Sequence, residues 1–198
     1  LEEDVISDWW VQGESLGPEP LGFSPTITKE IAALPEVDEV LAMQYADEGL
    51  RTVDDKSVKR TYSADLGSVS NYFNIGLEQS NDSLLGNRAL YLHQDEANKY
   101  ALQVGSFINV EFMDQTQTEL VVAGIFSSKS VIDSGWLVDS SVFASNLNLI
   151  PQTDDFVGVL IKDGISEAQA RAALESVLAD YEQVRAQTKE EVCLLYTS

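Results

Sequence analysis

VGSFINVEFMDQTQTELVVAGIF, residues 104–126, carries the clearest β-hairpin pattern in this chain. Ile108, Val110 and Phe112 alternate with Asn109, Glu111 and Met113, which is the period of a half-buried strand. The polar residues 114–117 then predict a turn. Leu120 to Phe126 is an almost continuous apolar run, typical of a strand covered on both faces. The sequence therefore predicts a hairpin that ends in a buried strand, with Gly124 near its end.

Composition limits the class of protein. The 198 residues suffice for one large domain or two small ones, and 44% hydrophobic with 23% charged residues is ordinary for a folded chain. The net charge of -21 is not ordinary, because such a surface repels nucleic-acid phosphates and anionic lipid. This charge argues against a nucleic-acid partner and favours a solvated acidic surface outside a cell.

The acidic residues are unevenly distributed along the chain. Residues 1–48 hold 12 Asp or Glu and one basic residue, Lys29, whereas residues 49–101 hold 7 acidic and 6 basic residues. Such an asymmetry is compatible with two structural units.

Neither a transmembrane segment nor a signal peptide is recognisable. The longest strongly apolar run, Leu120 to Phe126, has seven residues, against the roughly 20 that a spanning helix needs. Because the chain begins at Leu1 and not at Met, we expect it to be cut from a longer polypeptide.

The last residues look foreign to the rest. Residues 192–198, VCLLYTS, have no amphipathic period and resemble the translated adapter sequence found at the ends of some assembled reading frames. We expect a non-native tail here and leave it out of the fold prediction. The single Cys193 cannot form an internal disulfide.

The first part of the chain predicts a strand, a helix and a second strand. The strand at residues 4–12 places Trp9 and Trp10 on opposite faces, so we expect one in the core and the other in contact with something else. For that contact, core or subdomain packing is favoured over carbohydrate stacking. Ser24 and Pro25 begin a helix through residue 34, and a strand at 37–46 ends in a tight turn or bulge at 47–49.

The middle of the chain predicts short elements on either side of the hairpin. The predicted elements are strands 50–53 and 58–63, a link 65–75, a loop 76–86, a strand 88–92, a helix 94–102, a strand 136–138 and a helix from 139 or 140 to 147.

The last part repeats the plan of the first. A strand at 156–162 precedes a capping box of Ser166 and Gln169, a helix at 166–180 and a polar strand at 182–188. The two βαβ-like passages flanking the middle region indicate an α+β fold of the ferredoxin-type split βαβ kind.

Chemical motifs are absent from the sequence. His93 is the only histidine, and without a second His or a suitable Cys we expect it to have a structural or surface role and not to form a zinc site. There is no Gly-rich phosphate loop, G-x-S-x-G elbow or C-x-x-C pair.

The paired carboxylates also favour structural roles. Asp54-Asp55, Asp95-Glu96 and Asp154-Asp155 all fall at predicted turns or helix starts. No calcium-loop motif exists, so Asn81-Asp82 and Gly86-Asn87 could form only an adventitious calcium site. The sequence predicts no catalytic, cofactor-binding or metal-binding residues.

In order and spacing, the segments from residue 4 to 190 resemble the extracytoplasmic domain of a MacB/FtsX/LolE-type ABC transporter permease. The most typical pieces are Leu102-x-x-Gly105-x-x-Ile108-x-Val110 and the strand Leu120 to Phe126, which corresponds to the V-V-G-I strand of the family. The other matching pieces are Leu34-Pro35-Glu36-Val37, similar to an LPGV at the start of a strand, Tyr62 to Leu66 ahead of Tyr72-Phe73, and Gly86 to Leu92. The glycine usual near Ala64 is missing, and Leu85-Gly86-Asn87-Arg88 only echoes the usual L-x-x-G-R.

The resemblance implies a porter-like layer built from both chain ends with a smaller α/β lobe inserted between them. On this view residues 1–64 and 148–191 form the porter-like subdomain and residues 65–147 the lobe. The domain would lie between the first two transmembrane helices of a permease, on the outer side of the cell membrane. It would hold no nucleotide and would transmit motion driven by ATP hydrolysis to a substrate or partner outside.

The partners implied by the resemblance are the flanking transmembrane helices, a cytoplasmic ABC ATPase, a second permease subunit and an unknown extracytoplasmic substrate. Two other hypotheses remain open. One is a free-standing secreted acidic binding or adhesion module, which would carry a signal peptide. The other is an acidic hydrolase, which would bring two or more titrating carboxylates together in one cleft.

Overall fold

The computed structural model describes residues 4–14, 21–145 and 153–197. These residues form two compact units, which we call unit 1 and unit 2. Unit 1 combines the residues up to Gln44 with those from Thr153 onward, and unit 2 is the segment from Tyr45. The sequence placed the first division after Ala64. The division lies earlier because residues 45–64 pair with strands of unit 2.

Within the described residues we number the strands and helices in chain order. The strands are β1 (Trp9–Gly13), β2 (Val37–Thr52), β3 (Val58–Ala64), β4 (Leu77–Ser80), β5 (Ala89–His93), β6 (Phe107–Glu111), β7 (Gln117–Phe126), β8 (Trp136–Asp139), β9 (Phe156–Ile161) and β10 (Val184–Thr188). The helices are α1 (Pro25–Ala32), α2 (Gln94–Lys99), α3 (Ser140–Ala144), α4 (Glu167–Leu178) and α5 (Lys189–Thr197).

Unit 1 has the predicted ferredoxin-type plan. Its antiparallel sheet has the order β10-β1-β9-β2, so the first and last strands of the chain are neighbours. Trp9 of β1 lies opposite Thr188 of β10 on one side and Val159 of β9 on the other. The α+β prediction, with a layer built from both chain ends, is confirmed.

Helices α1 and α4 contribute to the core of unit 1. Ser24 accepts a hydrogen bond from the amide of Thr26 at the start of α1, and Ser166 with Gln169 forms the predicted capping box at the start of α4. The buried members of this core are Trp9, Val11, Phe23, Ile27, Ile31, Val37, Val157, Val159, Ala170, Leu174, Leu178 and Val184.

Both tryptophans of β1 are buried, which agrees with packing, and not carbohydrate stacking, as the role of the second tryptophan. Trp9 belongs to the unit 1 core. Trp10, 8% exposed, packs against Phe156 with ring centroids 5.1 Å apart, and its Nε1 donates to Gln12. Because side chains alternate along a strand, Trp9 faces the core that contains the helices, and Trp10 lies on the opposite face of the sheet against Phe156.

Unit 2 contains a mixed sheet and the predicted hairpin. Its strand order is β2-β3-β8-β5-β7-β4, with β3–β8 and β5–β7 parallel. Strands β6 and β7 pair antiparallel from Phe107–Val121 to Glu111–Gln117. The predicted alternation is confirmed, since Val110 and Phe112 are buried while Asn109 and Met113 are exposed.

Three local predictions in unit 2 need correction. Residues 47–49 continue β2 instead of turning, because Gly49 lets β3 approach: a Cβ there would lie 2.7 Å from the Cβ of Thr61. The predicted loop 76–86 contains β4, which pairs with β7, and a short 3₁₀ turn. Helix α2 ends at Lys99, before Ala101 adopts a left-handed φ of 53°.

The structure differs from the prediction in two further places, at the end of α3 and in the C-terminal residues. Helix α3 ends at Ala144, and the predicted extension to residue 147 runs into residues outside the described ones. Residues 189–197 form α5, in which Val192 is 4% exposed. The sequence prediction left residues 192–198 out of the fold because their pattern is not amphipathic.

Candidate functional site

His93, the only histidine, joins three segments of unit 2. It is the last residue of β5 and caps α2, with its Nδ1 accepting the amide hydrogen of Asp95 at 3.1 Å. Its Nε2 lies 2.9 Å from the carbonyl oxygen of Ser127, so Nε2 carries the proton and donates it. The ring is 4% exposed and meets the edge of Phe126. Both ring nitrogens are thus occupied in holding α2 and the segment after β7.

Asp55 of the first carboxylate pair fastens the turn between β2 and β3. Its carboxylate accepts hydrogen bonds from the hydroxyl of Thr52, the hydroxyl of Tyr100 at 2.8 Å and the amide of Ser57 at 3.1 Å. These bonds, that of Thr52 first, lower the pKa of Asp55 to about 2. Asp54 beside it is exposed.

The second pair, Asp95 and Glu96, lies in the first turn of α2. Asp95 forms an ion pair with Lys129 at 3.3 Å, and Glu96 forms one with Lys59, also at 3.3 Å. Each carboxylate therefore connects α2 to a different segment. Negative charge in the first turn also suits the dipole of the helix.

The third pair opens β9. Asp154 is 3% exposed and accepts hydrogen bonds from the hydroxyl of Thr28 at 2.5 Å and the amide of Gln44 at 3.1 Å. Its backbone pairs with Phe23. Asp154 therefore links α1, β2 and β9 within unit 1, with two donors that satisfy a buried carboxylate.

The positions considered for calcium are engaged locally. Asn81 accepts from the amide and the hydroxyl of Ser83 and begins the short 3₁₀ turn. Among the residues that the structure describes, there is no cluster of three or more His, Cys, Asp or Glu side chains able to hold a metal ion.

Two cations of β3 that sequence reasoning missed hold unit 2 together. Lys59, 7% exposed, lies over the rings of Tyr100 and Trp136, 5.1 and 5.8 Å from their centroids. Burial opposes its charge, but the hydroxyl of Tyr100 and the carboxylate of Glu96 outweigh burial and raise the pKa of the ammonium. No pattern in the sequence marks Lys59, because its partners are distant along the chain.

Arg60 occupies the opposite face of β3. Its guanidinium lies 4.6 Å from the ring centroid of Tyr45 and forms ion pairs with Asp47 at 3.3 Å and Asp133 at 3.4 Å. The hydroxyl of Tyr62 also donates to Asp133, and burial together with this carboxylate raises the pKa of that tyrosine.

Each of these polar side chains connects one segment of a unit to another. His93, Asp95 and Glu96 lie together at the start of α2, and Tyr100 at its end donates to Asp55, whereas Asp154 lies in unit 1. These hydrogen bonds and ion pairs stabilise the two α+β units at the ends of their strands and helices.

Comparison with known proteins gives structural likeness without sequence likeness. No family model and no curated protein matches the sequence. The periplasmic region of MacB from Actinobacillus actinomycetemcomitans matches 98% of this chain and 94% of its own, with a TM-score of 0.71 and 11% identity.

Two other solved structures are similar over nearly the whole chain. The extracellular domain of the noncanonic ABC-type transporter YknZ from Gram-positive bacteria covers 92% of this chain and 99% of its own, with a TM-score of 0.61 and 14% identity. A domain of a putative permease protein from Porphyromonas gingivalis covers 94% of this chain and 88% of its own, with a TM-score of 0.55 and 19% identity.

The resemblance that the sequence suggested is thus confirmed at the level of fold. At these identities the likeness concerns the backbone and not individual side chains. The chain has the fold of the extracytoplasmic domains of MacB-type and YknZ-type ABC transporter permeases.

Proposed function

We propose that this chain is the extracytoplasmic domain of an ABC transporter permease, which transmits ATP-driven motion to a substrate or partner outside the membrane. The observation that carries the proposal is the likeness to the MacB periplasmic region over 98% of this chain and 94% of that one. A match of both chains along almost their full lengths supports an equivalent unit rather than a shared fragment.

The path of the chain through unit 1 supports an insertion between two membrane helices. Ile6 and Ser7, before β1, and Thr188 and Lys189, where β10 passes into α5, line the same cleft. The first and last described segments therefore lie side by side. In the proposed protein they continue into the first and second transmembrane helices, and none of the described helices is itself long and apolar enough to span a membrane.

The proposed work is mechanical and not chemical. ATP hydrolysis belongs to a cytoplasmic ATPase, and a second permease subunit completes the transporter. The 16 residues of β2 run from unit 1 into unit 2, with Gln44 and Tyr45 at the division. A hydrogen-bonded strand resists extension, so β2 is the element that we propose carries motion from one unit to the other.

The parent reading frame is the first test. We expect an apolar segment of about 20 residues just before residue 1, another soon after residue 191, and about two more further on. A neighbouring ATPase gene would agree with this expectation. A signal peptide with no membrane segment would instead support the secreted binding module and overturn the proposal.

A spin-label experiment tests the motion without knowledge of the substrate. The full permease, with its other cysteines replaced by serine, is labelled at Glu175→Cys on α4 and reconstituted with its ATPase. We expect the distance distribution between labels of the two permease subunits to change when ATP is added. A hydrolysis-deficient ATPase that still binds ATP is the control, and a distribution unchanged by ATP would contradict mechanical transmission.

A further inference from the structure

A cleft of about 460 Å³ lies between the segment before β1, the turn after β9 and the first turns of α4 and α5. We propose that this cleft, which we call the end cleft, binds the phosphoethanolamine headgroup of a membrane lipid. The charged and polar groups that line the cleft support the assignment of the headgroup. The assignment to a lipid rests on the proposed function, which brings this end of unit 1 near a membrane.

Two helix N-termini and two lysines supply the phosphate-binding side. Helices α4 and α5 have 12 and 9 residues and both begin on the wall of the cleft. Lys162 and Lys189 lie on the same wall, and neither forms an ion pair with another described residue. First-turn amides and lysine ammonium groups together are the usual partners of a phosphate group.

Local caps leave part of each helix start open to a ligand. In α4 the hydroxyl of Ser166 takes the amide hydrogen of Gln169, which leaves the amide of Glu167 without an intrahelical acceptor. In α5 the hydroxyl of Thr188 takes the amide hydrogen of Glu191 at 3.2 Å, which leaves that of Glu190.

A buried hydroxyl on the cleft wall points independently to a polar ligand. Ser7 is 1% exposed, and its Oγ has no hydrogen-bond partner among the described residues. A buried hydroxyl without a partner costs free energy, and native structures leave few of them. A phosphate oxygen in the end cleft would give this hydroxyl an acceptor.

The acidic residues of the cleft distinguish a zwitterion from a simple anion. Asp8 accepts the amide hydrogen of Ile161 at 2.9 Å and keeps its negative charge, whereas Glu167 pairs with Arg171 at 3.6 Å. Asp163 and Glu190 have no cationic partner among the residues that the structure describes. They suit a primary ammonium beside the phosphate.

Net charge agrees with this choice. A protein of net charge -21 repels a free phosphate or an anionic lipid at long range. A zwitterionic headgroup carries no net charge and experiences no such repulsion. Among the described residues of the cleft, two lysines and three carboxylates (Asp8, Asp163 and Glu190) have no ion-pair partner, so both ends of phosphoethanolamine meet groups of opposite charge.

The headgroup is tested with the isolated chain by NMR titration. We expect glycerophosphoethanolamine, a phosphodiester of no net charge like the lipid headgroup, to shift amide resonances of the first turns of α4 and α5 more strongly than glycerophosphocholine or glycerol phosphate does. Lys189→Gln should weaken the binding about tenfold, because a charge-assisted hydrogen bond is lost. Lys29→Gln on α1, an exposed lysine outside the cleft, is the matched control and should bind as the wild type does. Equal shifts by all three probes, or equal effects of both variants, would overturn the site.

The lipid source is tested with the full permease in nanodiscs. We expect cross-linking from a photoreactive phosphatidylethanolamine headgroup to reach residues 162–167 and 188–190, and an excess of plain phosphatidylethanolamine to compete. Headgroup binding in solution without this cross-link would overturn the lipid as the source. Membrane segments in the parent gene establish the proposed function separately, so the two failures are distinguishable.

Discussion

At the scale of single residues, polar side chains in this protein connect separate segments through hydrogen bonds and ion pairs. Asp55 is the clearest case, because three donors from the β2–β3 turn and from the end of α2 converge on one carboxylate. His93 and Lys59 act in the same way at other junctions. None of the three needs a ligand to explain its surroundings.

Asp55 predicts a defined loss of stability in acid. Its pKa is about 2 in the folded chain against an ordinary value of 3.8, so its contribution is present above about pH 4 and is lost as the pH falls to 2. We expect Asp55→Asn to flatten the pH dependence of the free energy of unfolding in that window. Urea unfolding at a series of pH values measures it. Asp54→Asn, at the exposed neighbour, is the control, and a D55N curve parallel to the wild type would contradict the prediction.

Buried strand residues of the hairpin predict a second outcome. Val110 and Val122 are both 0% exposed. Replacing either with Asp buries a charge without a partner, which we expect to cost more than about 3 kcal/mol and to unfold unit 2. Asn109→Asp places the same charge on the exposed face of β6, opposite Glu119 of β7, and should cost no more than about 1 kcal/mol. Wild-type melting of V110D and V122D would show that the hairpin is not in the core.

At the scale of elements, glycine sets how closely strands and their covering side chains approach. Gly124 of β7 lies under Leu77 and Tyr91, and a Cβ at this position would be 2.8 to 2.9 Å from atoms of both. Gly49 plays the same part between β2 and β3. Strand positions that read as turns in the sequence can therefore be close contacts in the sheet.

Gly124→Ala should destabilise the protein by about 1 to 3 kcal/mol, because the added methyl group overpacks the contact with Leu77 and Tyr91. Chemical denaturation measures the change. Gly67→Ala is the matched control, since the added Cβ would meet no atom closer than 3.4 Å. The prediction fails if both variants unfold at the same denaturant concentration as the wild type.

At the scale of the whole molecule, the two units differ in how the chain builds them. Unit 2 is one continuous segment, whereas unit 1 needs both chain ends. The cores of the two units also draw on different residues. Such a plan allows an inserted unit to fold before the unit that surrounds it is complete.

Residues 45–151 expressed alone should therefore fold, because their strands pair among themselves and bury a core of their own. A cooperative thermal transition and dispersed amide resonances are the expected observations. Residues 1–44 expressed alone are the control and should stay unfolded, since β1 lacks both of its partners, β9 and β10. An unfolded 45–151 fragment would contradict the division of the chain.

Much of the candidate functional chemistry lay beyond sequence reasoning for a physical reason. The pairs Asp54-Asp55, Asp95-Glu96 and Asp154-Asp155 were recognisable as capping or turn residues because those roles involve near neighbours. The contact of Lys59 with aromatic rings involves residues that are far apart in the chain. The same is true of the residues that line the end cleft. A local sequence pattern does not predict such long-range contacts.

The sequence by itself determined the elements whose signals are local: the hairpin of β6 and β7, the capped helices α1 and α4, and the two βαβ passages that make the α+β fold. Periodicity reports which face of a segment is buried, and caps report where helices begin. Only the tertiary structure decided that β1 is an interior strand with both tryptophans buried, that β4 pairs at the sheet edge, and that the chain divides after Gln44. Those outcomes depend on which strand pairs with which, and a strand's own residues specify its faces but not its neighbours.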